Sequence, residues 1–281
     1  MSKKKLNYEY CDQLVRDFET VVKKPIKTKS PLYYTGVDLG TACIVLAVLD
    51  ENYKPVAGAY RYADVVRDGM VVDYIGAVKI VRELKEELEE KLGAELIYSA
   101  AAIPPGTDLL DSGAVRNVVQ AAGFEVTSLL DEPTAANKVL NIQNGAVVDI
   151  GGGTTGISIL KDGKVIYVAD EPTGGTHFSL VISGAYNMEF KDADIYKRNP
   201  KNHKELLPTL KPVVEKIATI INQHIKGFDV NEIFLVGGTC CLAGIEDIIE
   251  RKTGIFTHKP ENPMFVTPLG IALGCTDKPL D

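Results

Sequence analysis

Cysteine is scarce. The five residues, Cys11, Cys43, Cys240, Cys241 and Cys275, are an odd count for a chain of 281. Such a set makes no disulfide framework, and adjacent Cys240 and Cys241 lack the C-x-x-C spacing of a zinc or redox site. Reduced thiols of a cytoplasmic protein are expected. No uncharged apolar run approaches the ~20 residues that cross a bilayer, so no membrane span is expected. Lys3, Lys4 and Lys5 are followed by no apolar stretch, which argues against a secretory signal. The sequence also has no Asn-x-Ser/Thr acceptor. Basic residues are outnumbered, 31 Lys plus Arg against 38 Asp plus Glu, for a net charge of -7. With no basic stripe, a dedicated nucleic-acid binder is excluded. No G-x-x-x-x-G-K-[ST] loop occurs, so any nucleotide site is not of that type.

What remains is ordinary globular composition, 45% hydrophobic and 25% charged. At roughly 150 residues per domain, the length suggests about two domains. Residues 1–31 stand apart. Tyr8, Cys11, Leu14, Val15, Phe18, Val21 and Val22 recur at helical spacing. The helix is amphipathic, and Pro25 and Pro31 bracket a linker after it. From Tyr33 strands and helices alternate, which places the chain in the α/β class. Strands are expected at Tyr33–Leu39, Cys43–Leu49, Val56–Val66, Leu96–Ile103 and Phe124–Leu130. The third of these ends only at Val66, and the fourth ends at Pro104-Pro105-Gly106. Helices are expected at Ile75–Leu92, Asp111–Ala122 and Pro133–Leu140.

A second segment opens like the first. Val148-Asp149-Ile150-Gly151-Gly152 parallels Val37-Asp38-Leu39-Gly40-Thr41: an apolar strand ends in Asp, a glycine turn follows, and a short strand returns. This internal repeat predicts two similar lobes. The first covers 32–145 and is completed by about 265–281; the second covers 146–264. The second lobe is read as helical, including Glu205–Lys226, until a buried strand at Ile233–Val236. A last helix covers Pro263–Gly274.

The chemistry lies in the turns. An Asp at a strand end can hold hydrated Mg2+, and backbone N–H groups of a glycine turn can face phosphate oxygens. Asp38-Leu39-Gly40-Thr41 alone reads as a plain turn. Asp149-Ile150-Gly151-Gly152-Gly153-Thr154-Thr155-Gly156 is stronger. It satisfies G-x-G-x-x-G with Asp170 about 20 residues on, as in a dinucleotide fingerprint. That match is rejected, because the dinucleotide turn opens a helix, whereas Ile157–Leu160 and the turn at Asp162-Gly163 continue as a hairpin. Together the two Asp-Gly turns would set two carboxylates around one polyphosphate. The third turn, Val236-Gly237-Gly238-Thr239, suits a flat ring lying on backbone or an ordinary strand-to-helix connection equally well.

In order, Asp-Leu-Gly-Thr, Asp131-Glu132-Pro133-Thr134-Ala135-Ala136, Asp-Ile-Gly-Gly-Gly-Thr and Val-Gly-Gly-Thr resemble the actin-like ATPase superfamily. The similarity is greatest to the nucleotide-binding domain of DnaK-type heat-shock chaperones and runs from about Gly36 to Gly274. The size, the short second lobe and the extra helix resemble the chaperone-like proteins of ethanolamine-utilisation operons. The resemblance implies two ribonuclease H-like lobes around a nucleotide cleft holding ATP or ADP with Mg2+. It implies Asp38 near the metal, with Gly40, Thr41 and Ala42 on the phosphates. Glu132 would position the attacking water, and Asp149 would act as metal-water ligand or base. Gly151, Gly152, Gly153 and Thr154 would form the second phosphate loop, and Gly174-Gly175 a further phosphate turn. Asp194, Lys197 and Arg198 would line the adenosine site, with Gly237, Gly238 and Thr239 as the adenosine loop. Thr267–Gly274 resembles the helix that links the lobes. The implied partner is an enzyme of the ethanolamine pathway or a microcompartment shell.

Two departures stand out. Cys241 replaces an Arg that stacks on adenine in the chaperones, a loss of about 1 kcal/mol. No Lys matches the chaperones' catalytic lysine, so at most a weak ATPase is expected. The peptide-binding domain has no counterpart here. A filament or scaffold protein and a small-molecule kinase remain open on the same superfold. An iron–sulfur ATPase activator ranks below both, because Cys240-Cys241 falls on the adenosine loop.

Overall fold

The structure is a computed structural model and describes residues 3–27, 29–67, 69–103 and 109–278. It divides into two compact units, Met1–Asn141 with Phe265–Asp281, and Ile142–Met264. The first unit opens with helix α1 (Lys3–Lys23) and strands β1 (Tyr34–Leu39), β2 (Cys43–Leu49) and β3 (Pro55–Tyr62). A small hairpin follows, β4 (Val66–Arg67) and β5 (Met70–Val71). Then come α2 (Tyr74–Leu92), β6 (Tyr98–Ile103), α3 (Leu109–Ala121), β7 (Glu125–Asp131) and α4 (Glu132–Leu140).

The five strands are ordered β3-β2-β1-β6-β7. The pair β1–β2 is antiparallel, while β1–β6 and β6–β7 are parallel. Strand β2 is buried along nearly its whole length, as a strand covered on both faces must be. Helix α2 starts where Asp73 accepts the Gly76 N–H (2.9 Å) and stops at Gly93, whose φ of 71° ends the helical run. Its Ala77, Val81, Leu84 and Leu88 recur at helical spacing and fill the core against the sheet.

Helix α1 does not stand apart. Cys11, Leu14, Val15, Phe18 and Val21 are buried, and a Cβ on Gly58 of β3 would overlap the Phe18 ring. The amphipathic face is therefore covered by the first unit's own sheet. The third strand is shorter than its apolar pattern suggests and ends at Tyr62. The Val65 carbonyl accepts the N–H groups of Val72 (2.9 Å) and Asp73 (3.1 Å), which turns it out of the ladder. The turn expected at Pro104-Pro105-Gly106 lies outside the described residues, as do the side chains of Lys3, Lys4 and Lys5.

The second unit contains β8 (Gly145–Ile150), β9 (Thr155–Lys161), β10 (Lys164–Glu171), α5 (Gly175–Tyr186), α6 (Phe190–Arg198) and α7 (His203–Ile225). It continues with β11 (Glu232–Val236), α8 (Ile245–Thr253) and β12 (Phe256–His258). The order β10-β9-β8-β11-β12 repeats the first sheet, and each sheet has two antiparallel pairs and two parallel pairs. The glycine turn after Asp149 joins two strands, as its hairpin pattern predicts. Asp162 and Gly163, at φ of 51° and 73°, close the next hairpin in the left-handed conformation such turns favour. Helix α7 begins at His203, earlier than expected, and carries Pro208 and Pro212 inside it.

Helix α8 and strand β12 were not anticipated. Their signals are present: Ile245, Ile248 and Ile249 at helical spacing, acidic Glu246 and Asp247 in the first turn, and Gly254 in the left-handed conformation after the last. The chain finally returns to the first unit in α9 (Val266–Leu273), preceded by a 3-10 turn at Pro263–Phe265. A Cβ on Gly270 of α9 would overlap the Ala135 carbonyl of α4, so these helices meet backbone to backbone.

Candidate functional site

In both sheets the conspicuous residues sit at the carboxyl ends of parallel strands. There one neighbour is a hairpin and the other a crossover, a location that favours ligands in open α/β sheets. In the first unit, Asp38 lies near the end of β1. Val37 is level with Ala101 of β6, and Ile103 of β6 is level with Asp131 of β7. Asp38 and Glu132 therefore share one edge of that sheet. Gly40, Thr41 and Ala42 make the β1–β2 turn, so tight that a Cβ on Gly40 would sit 2.8 Å from the Cys43 carbonyl oxygen. Glu132 is the first residue of α4. The cap is its neighbour: Asp131 Oδ1 accepts the Thr134 N–H (2.9 Å).

The second unit gathers its residues more closely. Asp149 of β8 is level with Val236 of β11. Gly237 follows at φ 91°, and a Cβ there would overlap Asp149 Oδ1 and lie 2.6 Å from the Ile150 carbonyl oxygen. Only glycine allows this approach. The loop Gly151–Thr154 closes through the Gly151 N–H on the Thr154 carbonyl (3.0 Å). Its carbonyls face α5: the N–H of Gly175 donates to Gly151 O (3.0 Å) and that of Thr176 to Gly152 O (2.8 Å). The Thr239 hydroxyl also donates to Gly151 O (2.7 Å). In a trans peptide the N–H points opposite to the C=O. The N–H groups of Gly152 and Gly153 are therefore turned away from α5, as anion-binding donors need to be.

Gly174 and Gly175 pack directly beneath this loop. A Cβ on Gly174 would lie 2.8 Å from Gly151 O, and one on Gly175 would lie 2.6 Å from Thr239 Oγ1 and 3.1 Å from Lys197 Nζ. The structure thus brings together Asp149, Gly151, Gly152, Gly153, Gly174, Gly175, Lys197, Gly237 and Thr239, with Thr154 closing the loop. Gly238 opens the 3-10 turn that ends at Cys241.

Lys197 is committed to this scaffold. Its ammonium donates to Gly175 O, Ser179 Oγ and Asp194 Oδ1, each at 2.8 Å. Arg198 pairs with the other oxygen of Asp194. Burial lowers the Lys197 pKa to about 8. Lys197 and Asp194 thereby fix α6 to the start of α5. Cys240 is fully buried, and burial together with the charge of Asp149 holds its thiol well above the ordinary range. It is unsuited to redox chemistry. Cys241 donates to Asn262 Oδ1 (3.6 Å). Sequence reasoning missed Ser179, Asn262 and His203, whose roles arise from partners distant in the chain.

Among the described residues no group of three or more His, Cys, Asp or Glu side chains is placed to hold a metal ion. The single carboxylate of Asp149 at the loop still fits Mg2+, which takes one or two carboxylates and completes its shell with phosphate oxygens and water. No helix among the described residues is long and apolar enough to cross a membrane.

Comparison with known proteins fits this geometry. The chain is 46% identical over 249 residues to the ethanolamine utilization protein EutJ of Salmonella typhimurium, covering 88% of this chain and 87% of that protein. The chain belongs to the EutJ family. The crystal structure of EutJ from Carboxydothermus hydrogenoformans superposes with a TM-score of 0.91 at 46% identity, covering 95% of this chain and 99% of that one. Residues 117–264 also match the family described as type IV pilus assembly protein PilM. MreB5 of Spiroplasma citri, solved bound to ADP, matches with a TM-score of 0.68 at 18% identity, covering 86% of this chain and 96% of that one. At that identity it shares the fold alone. A homolog of the chaperone HscA from Pseudomonas aeruginosa is 34% identical over 115 residues, 37% of this chain and 19% of that protein. This EutJ-family chain therefore has the actin-like ATPase fold, with mixed α/β sheets, in a family named for ethanolamine utilisation.

Proposed function

We propose that this EutJ-family protein binds ATP and ADP with Mg2+, hydrolyses ATP weakly at most, and uses its nucleotide state in a chaperone-like role. The observation that carries the reading is the second unit's loop. Its carbonyls are bonded to α5 and Thr239 while the amides of Gly152 and Gly153 face the other way, in the loop that follows Asp149. Such a loop suits phosphate oxygens. Asp38 with Gly40, Thr41 and Ala42 supplies the corresponding carboxylate and turn of the first unit. Gly237, Gly238 and Thr239 offer backbone to the adenosine. Mg2+ held through an aspartate at such a strand end would neutralise phosphate charge. Glu132 follows the capping Asp131, and its proposed role is to orient the attacking water, while Asp149 is proposed as base.

The partner we propose is an enzyme of ethanolamine utilisation or the shell of a microcompartment, in the cytoplasm. The family name and the partial likeness to a chaperone support this reading. Calorimetric titration of ATP and ADP with and without Mg2+, followed by phosphate release, tests the nucleotide reading. Asp38→Ala and Asp149→Ala should each lose the Mg2+ dependence. If both variants bind Mg·ATP like the wild type, the site is misplaced.

A further inference from the structure

His203 has no assigned role, yet it sits between two elements of the second-unit site. It is the first residue of α7 and is buried. Nδ1 accepts the Ala243 N–H (3.2 Å), and the other nitrogen, Nε2, lies 3.0 Å from the Lys197 carbonyl oxygen. These partners settle the tautomer. A nitrogen that accepts an N–H carries no proton, so Nε2 bears the single proton and donates it to Lys197. The neutral ring therefore ties the end of α6, where Asp194, Lys197 and Arg198 lie, to the segment following Gly237–Thr239.

We infer that His203 is a positioning residue of the nucleotide site: its neutral imidazole holds residues 237–244 against the end of α6, and protonation releases them. This rests on the nucleotide reading above. An imidazolium would turn Nδ1–H toward Ala243 N–H, donor against donor. The surroundings oppose the charge as well. His203 lies at the positive end of the α7 dipole. Burial lowers its pKa first, and the charge of Lys259 adds to that, while the Lys197 carbonyl opposes it. Lys259 itself holds the same segment by donating to the Leu242 carbonyl (3.1 Å), and pairs with Glu246 of α8 (2.6 Å). The other charged groups around the ring are Lys197 and Arg198 of α6, both paired with Asp194, and Lys204 and Glu205 of α7, the latter accepting from Tyr196. The nearby carboxylates Asp194 and Glu246 are thus already engaged by other cations.

Because the folded chain binds this proton less readily than the unfolded chain, the clamp is complete above about pH 6.5 and is lost as pH falls through the folded value. The test compares the wild type with His203→Gln and His203→Phe from pH 5 to 8. A carboxamide can both accept from Ala243 and donate to Lys197 without titrating; a phenyl ring can do neither. Hydrogen-exchange protection factors at residues 237–244, without nucleotide, should fall about ten-fold or more in the wild type between pH 7.5 and 5. They should stay level in His203→Gln and be low throughout in His203→Phe. Affinity for ADP with Mg2+ should follow the same pattern. Identical pH profiles in the wild type and His203→Gln would overturn the proposal. Failure of ADP to bind the wild type at pH 7.5 would overturn the nucleotide reading instead, and the protection factors would still decide the clamp.

Discussion

Replacing Phe18 by alanine tests whether α1 is an integral part of the first unit. Phe18 is fully buried. Its ring lies over Gly58 of β3 and meets Phe265 edge to face at a centroid distance of 5.1 Å. Removing a fully buried phenyl ring costs about 3–5 kcal/mol, of which roughly 0.5–1.5 belongs to the aromatic pair. The upper half of that range is expected, because the wall opposite the ring is strand backbone and cannot collapse into the void. At about 2–4 °C per kcal/mol for a protein of this size, melting should fall by roughly 8–20 °C. Calorimetry and urea unfolding followed by circular dichroism measure this. Cys11 provides a second readout. It is buried on the same helix and its thiol is pushed up to about 12, chiefly by burial, so it should resist alkylation until α1 lifts. Phe18→Ala should speed that labelling. Gly58→Ala sharpens the experiment. In the wild type the new methyl overlaps the Phe18 ring and should cost about 1–3 kcal/mol. In Phe18→Ala it enters the vacated space, so the double variant should be more stable than the sum of the single effects predicts. The rescue is partial, because the methyl also lies 2.7 Å from Val22 Cγ2. A loss below about 1 kcal/mol for Phe18→Ala, with no change in Cys11 labelling, would refute the assignment of α1 to the first unit's core.

Further outcomes follow from the site. Gly237→Ala should destabilise the second unit by about 2–4 kcal/mol in urea unfolding, since it combines positive φ with overlap of Asp149. Glu132→Gln should leave the ATP dissociation constant nearly unchanged and slow phosphate release roughly ten-fold or more; equal turnover would assign Glu132 to structure. Lys197 titrates at about 8 in the folded chain against 10.5 ordinarily. The unfolded chain therefore holds more protons between those values, and the wild type should gain stability relative to Lys197→Met as pH rises through that window. A flat difference between the two unfolding profiles would show that burial does not govern this lysine.

Much of the framework is written locally. The hairpins β1–β2 and β8–β9 are legible because an apolar run, an Asp and a glycine turn are contiguous in sequence. Rejection of the dinucleotide fingerprint needed only the four residues Ile157–Leu160 and the turn after them. Asp131 and Pro133 mark the start of α4 in the same local way. The misses have physical causes too. Val56–Val66 reads as one strand because its apolar pattern is continuous, but the Val65 carbonyl is taken by Val72 and Asp73. The stretch holding α8 and β12 is short, and its signals follow directly on a glycine turn that suits a ligand loop as well as a strand-to-helix connection.

By itself the sequence determined the α/β alternation, the repeated Asp-Gly turn, the amphipathic α1 and the excess of acidic charge, because each depends on residue type and short-range spacing. Tertiary structure alone decided what these elements do to one another within each unit. It placed α1 on β3, turned the Gly151 and Gly152 carbonyls toward α5, and joined Thr239 to Gly151 across 88 positions. It spent the ammonium of Lys197 on Gly175, Ser179 and Asp194, and set His203 between Lys197 and Ala243. Hydrogen bonds and buried contacts of this kind depend on distance in space, and residues far apart in the chain come within a few ångströms only after the sheets have paired and the helices have packed.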